Sequence, residues 1–128
     1  MEYDEYSALQ DLTKLGLPFF RTGSREICKP APMGTDVDFV ILNTVILDAD
    51  LHPFAPLGFQ DTSSAGLNEY GEINFCTYRK GEVNLIVVDT YTEFRKWRVA
   101  TAAAKQMNLI KKKDRIDLFQ GVLYGNWI

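Results

Sequence analysis

The feature that most restricts what this chain can fold into is the apolar run 37–42, which has one acid at its threshold and another inside it: Asp36-Val-Asp-Phe-Val-Ile-Leu42. So short a run, rich in β-branched and aromatic side chains, reads as a buried strand. Successive side chains on a strand point to opposite faces, so Asp36 and Asp38 project from the same face, one pleat apart. Two carboxylates that close repel each other, and one pKa rises unless a cation lies between them. The spacing therefore asks for a metal. A hard divalent ion such as Mg2+ is held by one or two carboxylates together with substrate phosphate oxygens.

Upstream, Gly23-Ser24-Arg25 follows the short apolar segment 17–20. Gly23 lets a ligand approach the backbone closely. The Ser24 hydroxyl, neighbouring N–H groups and the Arg25 guanidinium suit phosphate oxygens. Either piece alone is ordinary, a turn dipeptide or a strand emerging from a solvated loop. In this order, each attached to its own strand, they suit one ligand: a metal-bound triphosphate.

Gly23-Ser24 followed by Asp36-x-Asp38 resembles the signature of the polymerase-β-type nucleotidyltransferase superfamily, a Gly-Ser turn at a helix start and paired acids on the next strand. The wider run Thr22-Gly-Ser-Arg25, Cys28-Lys-Pro-Ala-Pro32 and Thr35-Asp-Val-Asp38, with Tyr78-Arg-Lys-Gly-Glu-Val-Asn-Leu-Ile86 later, is similar to small nucleotidyltransferase-like proteins of bacteriophages and prophages. The resemblance implies a minimal nucleotidyltransferase palm in which Asp36 and Asp38 are catalytic ligands of Mg2+ or Mn2+. Gly23, Ser24 and Arg25 would hold a nucleoside triphosphate, and a hydroxyl acceptor would receive the nucleotidyl group.

The superfamily also supplies a third carboxylate from a later strand, inside a hydrophobic-acid-hydrophobic triplet. Here that triplet is Val83-Asn84-Leu85, with asparagine in place of the acid. A two-metal mechanism holds ions about 3.5–4 Å apart, and the third acid helps hold the catalytic one. An amide oxygen ligates a metal without adding charge or accepting the nucleophile's proton. Asp89 on the same strand falls on the opposite face from Asn84, about 16 Å away, and does not substitute. Asn84 reads equally as a ligand or as a hydrogen-bonded structural residue.

The 128 residues suit one domain with an adequate core. No stretch resembles a secretory apolar region or is long enough to cross a bilayer, which makes the expectation cytoplasmic with no membrane partner. Two cysteines, Cys28 and Cys76, and the single histidine His52 argue against a zinc site, and both cysteines read as ordinary thiols.

In chain order, residues 2–15 carry Tyr3, Tyr6, Leu9 and Leu12, with Ala8 and Leu15 beside them, at near-helical spacing, and Gly16 is placed as a left-handed stop. Residues 17–22 predict the first strand and 25–27 a helical turn, after which Pro30 and Pro32 forbid a regular helix. Residues 43–51 are a short helix or a strand extension; Asp48 and Asp50 there, before His52, read as a solvated turn. Residues 53–71 read as a long loop. Residues 73–79 and 83–88 predict a hairpin turning at Lys80-Gly81. Helices are expected over 90–108, with Phe94, Trp97, Thr101 and Ala104 on one stripe and a Thr90/Glu93 capping box, and over 112–124, burying Ile116, Phe119, Val122 and Leu123. Trp97 and Trp127 read as core or interface residues.

Between Arg95 and Arg115 there are eight basic residues against one acidic, whereas the first seventy-two residues carry twelve acids and four bases. A basic C-terminal face can attract nucleic acid or triphosphate, although Lys111-Lys112-Lys113 lies between helices, where charge runs are usually solvated. The expected fold is α+β, a small mixed sheet flanked by N-terminal and C-terminal helices. Two functions compete: a metal-dependent nucleotidyltransferase, or a degenerate descendant that binds a nucleotide, a nucleic acid or a host protein.

Overall fold

The computed structural model describes residues 3–34, 36–44, 53–62 and 76–125. Their order is α1 (Glu5–Leu15), β1 (Phe19–Thr22), α2 (Ser24–Ile27), β2 (Val37–Leu42), β3 (Gln60–Asp61), β4 (Cys76–Lys80), β5 (Val83–Val88), α3 (Tyr91–Met107) and α4 (Lys112–Tyr124). The architecture is α+β, with an open mixed sheet in the order β1-β2-β5-β4-β3. β2 runs parallel to β5 and antiparallel to β1, and β4 lies antiparallel to both β5 and β3.

β2 and β5 form the middle of the sheet and are covered on both faces. A strand in that position cannot alternate apolar and polar residues. Their sequences are accordingly apolar except at one position each: Val-Asp-Phe-Val-Ile-Leu and Val-Asn-Leu-Ile-Val-Val. Both interruptions fall at the second residue, and the parallel register sets Asp38 opposite Asn84. The rest of the two strands is core. On one face Val40, Leu42, Ile86 and Val88 meet Ile27 of α2, Trp97, Ala100 and Ala104 of α3, and Phe119 and Leu123 of α4. On the other, Val37, Phe39, Ile41, Val83 and Leu85 meet Ala8 and Leu12 of α1 together with Phe54, Phe59 and Tyr78. Each large apolar side chain fully buried contributes about 1.5–3 kcal/mol, so this three-layer core dominates the stability.

Local signals explain most helix ends. α1 starts at Glu5 because the Asp4 carboxylate accepts from the Ser7 N–H, and it ends at Gly16, whose φ of 70° is left-handed. Its buried line is Ala8 and Leu12 with Leu15 packed beside them, whereas Tyr6 and Leu9, which belong to the expected stripe, are 68% and 39% exposed. In α3 the expected stripe is buried throughout, and the Thr90 hydroxyl accepts from the Glu93 N–H. α4 buries Phe119 and Leu123, with Ile116 and Val122 only half-buried.

The segment after β2 departs further from its expectation as a loop. Residues 53–62 bury Phe54 and Phe59 under the sheet and supply the edge strand β3. Asp48, Asp50 and His52, residues 63–75 and Trp127 lie outside the described residues. Among the described residues no helix is long and apolar enough to cross a membrane.

Candidate functional site

The register builds one polar row across the sheet: Thr22, Asp38, Asn84, Arg79 and Gln60 are successive partners on β1, β2, β5, β4 and β3. Residues directly opposite one another share a face, here the face that α3 covers farther along β2 and β5. Exposure rises along the row, from buried Thr22 through half-buried Asp38 and Asn84 to exposed Arg79. At the buried end the Thr22 and Thr101 hydroxyls are 2.7 Å apart, and Thr101 Oγ1 donates to the Trp97 carbonyl at 2.8 Å, so Thr22 is the donor of the pair.

The centre of the row is a set of charged hydrogen bonds. Arg79 lays its fork on Asp36, Nη2 donating to Oδ1 at 2.9 Å and Nη1 to Oδ2 at 3.0 Å. Nη1 also donates to Asn84 Oδ1 at 3.0 Å. With its oxygen turned to the guanidinium, the Asn84 amide turns its nitrogen to the acids, donating to Asp38 Oδ1 at 3.1 Å and Asp36 Oδ2 at 3.4 Å. A guanidinium offers only donors, so its presence fixes which way the amide faces. The Arg79 hydrogen bonds hold the Asp36 carboxyl below the usual carboxylate range, helped by the Asn84 amide and the nearby Arg25 charge. The same hydrogen bonds raise the Arg79 guanidinium.

The Gly-Ser turn closes the site from the β1 side. Gly23 has φ 78°, and a Cβ there would stand 2.2 Å from Asp38 Oδ2, so only glycine admits this contact. α2 is a single turn, held by Ile27 N–H on the Gly23 carbonyl and Cys28 N–H on the Ser24 carbonyl. Glu26 fastens it by accepting from Arg21 at 3.3 Å and Lys105 at 3.2 Å. Beyond it, Asn108 accepts from Lys29 N–H and donates to the Lys29 carbonyl, tying the connection to the end of α3.

Gly23, Arg25, Asp36, Asp38 and Asn84, separated by up to sixty-one residues in sequence, are thus brought together, with Ser24 on the same turn. Asp89 follows the far end of β5 and takes no part. Arg79 was missed because of the turn. The two residues between Lys80 and Val83 are Gly81 and Glu82, and Arg79 pairs with Asn84. Placing the turn one residue earlier sets Thr77 opposite Asn84 and hides the arginine.

A guanidinium thus stands against Asp36, and an amide N–H against Asp38. Mg2+ or Mn2+ would need the oxygen lone pairs that Arg79 and Asn84 engage, and the position of a third acid presents N–H groups. Among the described residues no three histidine, cysteine, aspartate or glutamate side chains are grouped to hold a metal ion. This donor set does not fit a two-metal centre. No family model matches the chain, and neither a curated protein nor a solved structure is detectably similar to it.

Proposed function

We propose that this chain is a nucleotidyltransferase-like binding protein in which the catalytic carboxylates are absorbed into an ion-paired network, and that it recognises nucleotide phosphate without transferring it. The observation that carries this reading is the orientation of Asn84 and Arg79, whose N–H groups face both aspartates. Nucleotidyl transfer by metal ions needs those same oxygens as ligands. On the phosphate side, the resemblance implies Gly23, Ser24 and Arg25 as the ligands of phosphate oxygens, and the reading is supported by the Arg25 charge, which acts on Asp36. Arg25 and Arg79 balance Asp36 and Asp38, so the site carries no excess negative charge to repel a phosphate.

A metal-dependent transferase is the second reading, favoured by the forced contact of Gly23 with Asp38. That contact couples the Gly-Ser turn to the acid strand, as one site for a metal-bound triphosphate requires. Calorimetric titration with each nucleoside triphosphate, in Mg2+ and again in chelator, separates the two. Binding that survives chelation and is lost in Arg25→Ala supports the binding protein. Binding that requires Mg2+ and disappears in the Asp36→Asn, Asp38→Asn double variant supports the transferase. Absence of binding in both conditions rejects both and leaves a nucleic acid or host protein as the ligand.

A further inference from the structure

We infer that the outer face of α3 is a docking surface for single-stranded nucleic acid, separate from the polar row on the sheet. α3 packs inward through Phe94, Trp97, Thr101 and Ala104. On its other side Tyr91, Arg95, Arg98, Ala102 and Lys105 recur at alternating spacings of four and three residues, which sets them in one line along the helix. All five are exposed, and so is the line beside it, the uncharged Thr92, Val99 and Gln106. The outer surface of the helix thus carries three cations and no carboxylate over a length of about 20 Å. Arg21, Arg79 and Arg115 are engaged within the protein, on Glu5 and Glu26, on Asp36, and on the Leu109 and Ile110 carbonyls. Arg95 and Arg98, by contrast, make no hydrogen bond or ion pair among the described residues, while Lys105 meets Glu26 at 3.2 Å and keeps 45% of its side chain exposed.

Charge decides which occupant this line suits. The whole chain carries a net charge of −3, so a polyanion is repelled by the molecule at large and drawn to this face. Ala102 stands at the centre of the line, where a protein partner needs a large anchor residue and a bilayer surface needs a bulky apolar side chain. A strand of phosphates needs neither, since cations in a line neutralise it and release its counterions. At the head of the line Tyr91 is 66% exposed, its ring steadied against Phe94 with centroids 6.5 Å apart. An exposed ring beside a row of cations is a stacking platform for an unpaired base, which selects a single strand over a duplex.

The test is the fluorescence anisotropy of a labelled oligothymidylate of about sixteen nucleotides, without terminal phosphates, so that its result does not depend on nucleotide recognition at the Gly-Ser turn. Wild type binds it, and log K falls with log salt at a slope of about −2, or about −0.7 for each of three phosphates. Arg95→Ala combined with Arg98→Ala brings the slope to about −0.7 and weakens binding at low salt about tenfold or more, whereas Arg95→Lys combined with Arg98→Lys retains the slope. Tyr91→Ala weakens binding about tenfold and leaves the slope unchanged. Lys14→Ala removes a cation from α1, which packs on the opposite face of the sheet, and changes neither quantity. Absence of binding at low salt overturns the inference. So does a loss in Lys14→Ala as large as that in Arg98→Ala alone, which reduces the binding to attraction by charge anywhere on the surface. Binding of polyglutamate or of phosphatidylserine vesicles without binding of the oligonucleotide also overturns it, and gives the face to an acidic protein or a membrane.

Discussion

The two ends of the β2–β5 pair share one backbone register and obey opposite rules. From the third residue of each strand onward the side chains are core, with Phe39, Val40, Ile41, Leu85 and Val88 all at 0–1% exposure. At the start of the same strands, on the face opposite buried Val37 and Val83, Asp36, Asp38 and Asn84 with Arg79 from β4 form a half-exposed polar network. The apolar end holds the sheet between its helices. The polar end contributes little to that, because exposed ion pairs add about 0–1 kcal/mol. The side chains at this end can therefore be exchanged without disturbing the fold behind them.

Exchanging the character of the two ends is the severest way to break this comparison. Val40 and Asp38 are two residues apart on one face of β2, the first at 0% exposure. Val40→Asp places an unpaired carboxylate in the core and is expected to cost at least about 3 kcal/mol, whereas Asp38→Asn should change stability by no more than about 1 kcal/mol. Urea denaturation of both variants measures the difference. Equal costs would mean that the polar end is structural after all. Next in size is Gly23→Ala, whose methyl group meets Asp38 Oδ2 and whose φ is positive; about 1–3 kcal/mol is expected. Asp38→Ala on that background should recover the part due to the clash and leave the part due to the backbone.

Within the row itself, the direction of the buried threonine bond predicts an asymmetry. Thr101→Val leaves the buried Thr22 hydroxyl without its acceptor and should cost about 1–3 kcal/mol. Thr22→Val costs less, because Thr101 still donates to the Trp97 carbonyl. Thermal or urea denaturation of the two single variants is the check, and equal costs would reverse the assignment of donor and acceptor.

What was legible in the sequence follows the same division. The core strands were readable because burial on both faces leaves an apolar run with no ambiguity of period, and α3 was readable because its stripe and its Thr90 cap agree. The α1 stripe was placed wrongly because tyrosines and leucines occur on two of its sides, and only the packing against Phe39 and Ile41 selects Ala8 and Leu12. The assembly of Gly23 with Asp36 and Asp38 was visible as order and spacing. Arg79 was not, since its role depends on strand register, and register turns on a single residue of the Gly81-Glu82 turn. Nothing local to an arginine in a hairpin marks it as the counter-ion of acids forty residues away. From the sequence, two adjacent aspartates asked for a metal; in the structure the Arg79 guanidinium stands against Asp36.

The smallest expected effect is the acid dependence of the polar end. Asp36 is held below its ordinary pKa chiefly by the Arg79 hydrogen bonds. A carboxylate with a depressed folded-state pKa stabilises the native state above its unfolded pKa, and that contribution is lost as pH falls through the folded value. The window therefore lies below about pH 4, the ordinary aspartate range. Both partners are more than a third exposed, so solvent screening keeps the pair's contribution under about 1 kcal/mol. Urea unfolding of wild type and Arg79→Met should show a small deficit for the variant at pH 7, unchanged at pH 5 and shrinking as pH falls below about 4 through the lowered Asp36 pKa. A deficit that does not shrink at all over that descent would mean that the arginine acts through the contacts of its aliphatic stem, and that the polar end shares more of the structural burden than its exposure suggests.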